Sequence, residues 1–176
     1  FRVDSFDALF SCISRMGVLT GSEGAARDLI ADYSRRLDAV RAASAALPHR
    51  PSVFFEVRYP NLLGAGEASI LTDIISAAGG ENCLAEYPDK LVRLNEETLI
   101  GLDPDIYLVQ EGAMNKNPLP PAERAHFRSL KAVRRGNVLV VPESLFSRPG
   151  PSSITATEQL GAFIRERARA EEAKEQ

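Results

Sequence analysis

Tryptophan is absent from the sequence, and cysteine and histidine occur only twice each. His49 and His126 lie far apart in polar stretches, which argues against a histidine-based metal site. Cys12 and Cys83 lack the spacing of a metal motif, and we interpret both as small, buried side chains. A disulfide between them would need Cα atoms within about 7 Å, which the spacing alone does not decide.

Long apolar runs and a strong net charge are also lacking. The net charge of −3 over 176 residues argues against general binding to nucleic acid or anionic membranes. No run approaches the length of a membrane span, and no signal peptide is recognisable. An apolar fraction of 44% is typical of one globular domain with a real core. Residues 1–4 are typical of a strand end, so we expect the chain to continue a longer protein.

The first 50 residues have the spacing of two helices. Asp4 or Ser5 caps the first, and Gly17 is expected to end it. Thr20 and Glu23 have the spacing of a capping box, which predicts a second helix to about residue 47. At roughly 25 residues this helix would measure on the order of 38 Å, long enough to join two lobes.

From residue 51 onward, strands and helices alternate. The pattern predicts strands at 53–57, 83–85, 106–109 and 138–141, helices at 69–78, 96–102, 121–133 and from about 153, and loops at 58–66, 115–121 and 142–152. The mixed charges of residues 165–176 predict a solvated, fraying tail. The alternation of strands and helices favours a parallel sheet with right-handed crossovers. We therefore predict an α/β fold, a three-layer Rossmann-like lobe with a short parallel sheet flanked by helices, preceded by a long helix.

Residues 94–110 contain both a short helix and a buried strand. Asn95 is expected to cap the helix, which places Glu96 and Glu97 in its first turn, and Asp103-Pro104 ends it. The strand then leads into the loop 111–118 at the carboxyl edge of the sheet, where open α/β folds bind ligands. This segment offers an exposed acidic turn and a ligand-side loop.

Three predicted loops at that edge carry aromatic, cationic and thioether side chains. Such groups suit a bulky, partly apolar, anionic ligand, although surface loops often carry them without a function. The candidate ligand-binding residues are Arg58, Tyr59, Glu111, Met114, Phe146 and Arg148.

No catalytic motif is evident. A Gly-x-Ser-x-Gly motif is absent, and the adjacent Glu96 and Glu97 would point about 100° apart on a helix. The segment 64–66 lacks the lysine of a P-loop, and Glu67 would repel phosphate. We therefore predict a protein that is not an enzyme and holds no metal or cofactor of its own.

Five short segments together resemble the C-terminal lobe of the class III substrate-binding proteins of ABC importers for ferric siderophores, cobalamin and haem. Each is weak alone, but they occur in the family's order, on the expected elements. They are Thr20-Gly-Ser-Glu23 with Ala26, Gly79-Gly-Glu-Asn82, residues 97–105, Leu130-Lys-Ala-Val133 with Gly136-Asn-Val138, and Phe146-Ser-Arg-Pro-Gly-Pro151.

The resemblance implies a division into a junction with an absent N-terminal lobe (residues 1–20), an interlobe helix (21–50) and a ligand-binding lobe (51–176). It implies that Glu97, with Glu96 beside it, docks on arginines of a permease dimer, and that the three loops line the ligand cleft. It also implies a periplasmic or extracytoplasmic location at the membrane through the permease. One departure is Ser152, where the family often has arginine.

The expected function is therefore to bind a metal chelate, namely a ferric siderophore, cobalamin or haem, and to deliver it to a permease. The alternatives are a Rossmann-like enzyme subunit and a module that senses an iron complex without transport. We also expect the first two helices to expose an apolar face toward the other lobe, and this face could drive self-association.

Overall fold

The computed structural model describes residues 3–175, with side chains described up to residue 173. The helices are α1 (Phe6–Thr20), α2 (Glu23–Ser44), α3 (Ile70–Ala77), α4 (Glu96–Leu102), α5 (Lys131–Arg135), α6 (Glu143–Phe146) and α7 (Ser152–Glu175). The strands are β1 (Ser52–Arg58), β2 (Leu63–Ala65), β3 (Glu81–Asn82), β4 (Leu91–Arg93), β5 (Ile106–Glu111) and β6 (Val138–Pro142). Short 3₁₀ turns occupy Pro121–Glu123 and Phe127–Ser129.

The strands form one mixed sheet in the order β4-β2-β1-β5-β6, with β3 paired to the start of β1. Strands β1, β5 and β6 are parallel, with Val53 opposite Ile106 and Tyr107 opposite Val138. Strands β2 and β4 are antiparallel additions that the sequence did not predict. The α/β fold with a mostly parallel sheet flanked by helices is confirmed.

Helices cover both faces of the sheet, which explains the apolar runs 53–55 of β1 and 106–109 of β5. Phe55 and Leu108 point into one core with α1, α2, α3, α6 and α7. Phe54 and Tyr107 point into the other, which α4, α5 and the 3₁₀ turns cover. Because successive strand residues face opposite sides, each strand contributes to both cores.

Ser5 caps the helix α1, as predicted, but the helix continues beyond Gly17. The Ser5 hydroxyl accepts a hydrogen bond from the Ala8 amide at 3.1 Å. The helix ends at Gly21, which has the left-handed conformation that caps a helix (φ 67°). Gly17 instead allows close helix packing, since a Cβ there would lie 2.6 Å from the Cβ of Ala26.

The predicted capping box of α2 is wrong. The Thr20 hydroxyl donates to the Met16 carbonyl of the preceding helix at 2.8 Å, and Ser22 is the N-cap residue. The helix α2 has 22 residues, which corresponds to about 33 Å. The division of the chain into junction, interlobe helix and lobe stays a prediction.

Several other predicted boundaries differ from the structure. The short strand is Glu81–Asn82, not 83–85, and β2 lies inside the predicted loop 58–66. The predicted helix 121–133 is two 3₁₀ turns followed by α5, and the loop 142–152 contains α6. The predicted tail is helical to Glu175, because its cations and anions bond to the body of the fold. Residues 1, 2 and 176, which belong to the predicted strand end and tail, lie outside the described residues.

Candidate functional site

The carboxyl ends of the three parallel strands meet at one edge of the sheet. Strand β1 ends at Arg58, and β5 and β6 end side by side, with Glu111 opposite Pro142. Arg58 and Tyr59 are half-buried there, whereas Glu111 and Met114 are exposed. Arg148, on the loop after α6, is also exposed. The structure thus places five of the six predicted ligand-binding residues on strand ends or loops at this edge, and their role stays a prediction.

Phe146 differs from the other five because it belongs to the core. Its side chain is fully buried, and its ring centroid lies 6.1 Å from that of Phe55 on β1. Phe146 ends the short helix α6, which turns the ring inward beneath the edge. The predicted contact between Phe146 and a ligand is therefore not supported, and the residue supports the loop from below.

The loop after β5 is held in place by hydrogen bonds. The Met114 amide donates to Oε2 of Glu143 at 2.9 Å. The side-chain amide of Asn115, a loop residue, donates to the Gln110 carbonyl at 2.8 Å. These bonds attach the loop to β5 and α6, so Met114 is presented to solvent from a fixed backbone.

Beneath this loop lies a buried ion pair that the sequence reasoning missed. Arg124 donates to both carboxylate oxygens of Glu56, and both side chains are at most 1% exposed. The Tyr107 hydroxyl donates to Oε2 of Glu56 at 2.6 Å, and the Asn115 amide donates to Oε1 at 3.1 Å. The available signal was Glu56 itself, since a charge inside an apolar strand needs a partner.

Tyr59 lies between this ion pair and the helix α4. The guanidinium of Arg124 is 3.9 Å from the centre of the Tyr59 ring, and Phe127 packs edge-on at 5.7 Å. The Tyr59 hydroxyl donates to Oε1 of Glu96 at 3.3 Å. Burial, and then the negative charge of Glu96, raise the pKa of Tyr59. The hydroxyl is therefore protonated near neutral pH and acts as the donor.

The helix α4 has the predicted bounds and cap. Oδ1 of Asn95 accepts a hydrogen bond from the Thr98 amide at 2.7 Å, as an N-cap should. Asp103 ends the helix in the left-handed conformation (φ 40°). Glu96 is half-buried against Tyr59, whereas Glu97 is exposed. Of the two glutamates in the first turn, Glu97 is the one available to a partner.

The glycines of segment 64–66 serve close packing. A Cβ at Gly64 would lie 2.8 Å from the Phe54 ring, and one at Gly66 would lie 2.9 Å from the Tyr87 carbonyl. Gly64 belongs to β2, and Gly66 is bonded to the segment that leads into β4. These contacts give both glycines a structural reason that needs no phosphate.

The described residues offer few other reactive groups. Within residues 3–175 there is no cluster of three or more metal-ligating side chains. Cys12 and Cys83 are both free, and both are half-buried where the sequence analysis expected buried side chains. Burial raises the pKa of Cys83 to about 12. None of the helices described is both long enough and apolar enough to cross a bilayer.

The sequence matches the family model described as periplasmic binding protein over residues 1–145. The chain belongs to this family. A search of curated proteins found no match. Among solved structures, an ABC-type Fe3+-hydroxamate transport system from Saccharomonospora viridis DSM 43017 shares 20% identity and a TM-score of 0.80. The match covers 92% of this chain and 57% of that protein.

Two structures with bound haem have the same fold. IsdE of S. aureus, complexed with heme, shares 21% identity and a TM-score of 0.81, over 92% of this chain and 65% of that one. The periplasmic heme-binding protein BhuT, in complex with two hemes, shares 21% identity and a TM-score of 0.78, over 96% and 65%. The chain thus spans 57–65% of the length of these three proteins.

Proposed function

We propose that this chain is the C-terminal, ligand-binding lobe of the solute-binding component of an ABC importer. The observation that carries the proposal is the family match over residues 1–145, on a fold whose carboxyl edge presents Arg58, Glu111, Met114 and Arg148. The other wall of the cleft would come from a second lobe, with α2 as the connection. Membership of the family implies an extracytoplasmic location. We propose in addition that the protein meets the membrane through the permease.

The proposed ligand is a metal chelate. Arg58 and Arg148 provide cations for carboxylate or hydroxamate oxygens, and the exposed Met114 provides an apolar, polarisable contact. The ligands named for the similar structures, Fe3+-hydroxamate and heme, support a ferric siderophore or haem, with cobalamin as a third choice. Arg58→Ala or Arg148→Ala in the full-length protein should weaken chelate binding about tenfold or more, since hydrogen bonds to charged groups are strong. If both variants bind the chelate as tightly as the wild type does, this assignment is contradicted.

Docking on the permease is the second part of the proposal. Glu97 is exposed in the first turn of α4, and an exposed ion pair contributes only about 0–1 kcal/mol. Such a contact steers and orients a partner that must later dissociate. Glu97→Lys in the full-length protein should raise the protein concentration needed for half-maximal stimulation of the permease ATPase about fivefold, whereas Glu86→Lys, an equal reversal at another exposed site, should not. An unchanged half-maximal concentration for the Glu97 variant would exclude this docking role.

The end of α1 supports the proposal of a second lobe. Met16, Val18 and Leu19 are 49%, 63% and 75% exposed, and Leu29 on α2 is 38% exposed. A contiguous apolar patch on a protein surface commonly marks an interface. We propose that this face packs on the other lobe and drives self-association when that lobe is missing. A 176-residue chain that sediments as a clean monomer at high concentration would contradict this.

A further inference from the structure

An unbroken series of side-chain contacts joins the buried ion pair beneath the candidate ligand edge to the candidate docking helix. It runs from Glu56 on β1 to Arg124, from Arg124 to Tyr59, and from Tyr59 to Glu96 on α4. The residue after Glu96 is Glu97, the proposed docking residue. Tyr59, which lies at the ligand edge, therefore contacts the first turn of the docking helix directly, although the two segments are far apart in the sequence.

The inner end of this series is rigid. The carboxylate of Glu56 accepts bonds from Arg124, Tyr107 and Asn115, all of them buried. Arg124 is further held because its Nε donates to the Leu119 carbonyl at 2.8 Å. A guanidinium fixed in this way offers a stationary surface to the ring of Tyr59, as in a cation–π contact.

The outer end of the series is adjustable. Tyr59 is half-buried and directly follows Arg58, and its amide donates to Oδ1 of Asn115 in the Met114 loop at 3.2 Å. A ligand bound at Arg58 or Met114 would therefore contact segments that adjoin Tyr59, through the chain or through this bond. The hydroxyl bond to Glu96 is long at 3.3 Å, so a small displacement of the Tyr59 side chain breaks or shortens it.

We propose that Tyr59 is a positioning residue that couples occupancy of the ligand cleft to the affinity of α4 for the permease. Its side chain shifts against the fixed guanidinium of Arg124, and the displaced hydroxyl passes this change to Glu96 and hence to the first turn of α4. The inference rests on the proposed function, because it needs both a ligand and a permease. A coupling through one hydrogen bond is small, so we expect loaded and free forms to differ about fivefold in permease affinity.

The experiment measures the ratio between the permease affinities of the loaded and free forms, using the full-length protein and its permease in lipid nanodiscs. The dissociation constant of the protein–permease complex is determined with and without a saturating ferric hydroxamate or haem. Tyr59→Phe removes the hydroxyl and keeps the ring, and Glu96→Ala removes the acceptor. Tyr87→Phe, which removes the hydroxyl of an exposed tyrosine, is the matched control.

The expected result is a ratio near fivefold for the wild type and Tyr87→Phe, and a ratio near one for Tyr59→Phe, Glu96→Ala and their double variant. Because the readout is a ratio, a change in ligand or permease affinity alone does not produce this pattern, and neither does a loss of stability. A wild-type ratio of one, or an unchanged ratio in Tyr59→Phe, would overturn the coupling and leave the proposed function intact. Failure of the full-length protein to bind any chelate would instead overturn the proposed function, and the coupling with it.

Discussion

The buried pair of Glu56 and Arg124 should be the most sensitive polar contact of the fold. Glu56→Gln keeps the shape of the side chain but removes the charge, so Arg124 stays buried without a counter-ion. Breaking a buried pair from one side costs about 3–5 kcal/mol. The free energy of unfolding of a native domain is about 5–15 kcal/mol, so the variant should lose a large part of its stability.

Urea unfolding monitored by circular dichroism measures this loss. With a slope of about 2 kcal/mol/M, the midpoint should fall by about 1.5–2.5 M. Glu158→Gln is the matched control, since it breaks a bidentate pair with Arg36 whose side chains are 36% and 29% exposed. That variant should lose no more than about 1 kcal/mol. Equal losses in the two variants would refute the argument that burial makes the Glu56 pair critical.

Three further predictions concern single groups. Asn95→Ala should destabilise the protein by about 1 kcal/mol, because the Thr98 amide loses its capping hydrogen bond. The control variant Glu97→Ala should not be destabilised. Equal melting temperatures for wild type and Asn95→Ala would contradict this. Cys83 should be alkylated by iodoacetamide far more slowly at pH 8 than in denaturant, because burial raises its pKa to about 12; similar rates by mass spectrometry would count against it. Burial acts to raise the pKa of Asp105, but hydrogen bonds from Ser52 and the charges of Lys131 and Arg135 outweigh it, so the pKa is lowered. Its contribution to stability is therefore present above about pH 4 and is lost as the pH falls through the folded pKa, and Asp105→Asn should flatten that part of the profile; an unchanged acid profile would argue against this.

The elements that the sequence predicted best are those whose signals are local. The helix α4 has its own cap, Asn95, and its own end, Asp103-Pro104. The strands β1 and β5 contain the apolar runs 53–55 and 106–109, and such runs indicate burial on both faces wherever the strands pair. In these segments, neighbouring residues contain nearly all the information that fixes the structure.

The features that the sequence did not predict depend on distant partners. The strand β2 has only three residues, and pairing with β1 and β4 defines it. Arg124 lies 68 positions from Glu56, and no local pattern joins them. Phe146 has the sequence context of a ligand loop, but the position of α6 against Phe55 turns its ring inward. At the site, the residue types at the carboxyl edge were predictable, whereas the side chains that support them were not.

The most direct test of the central claim is a ligand titration of the full-length protein. Ferric hydroxamates, haem and cobalamin would be added in turn, and binding followed by their absorbance bands and by tyrosine fluorescence, since the chain has no tryptophan. We predict saturable binding of one class of chelate, weakened in Arg58→Ala and Arg148→Ala. No saturable binding to any of the three would contradict the assignment as a metal-chelate receptor.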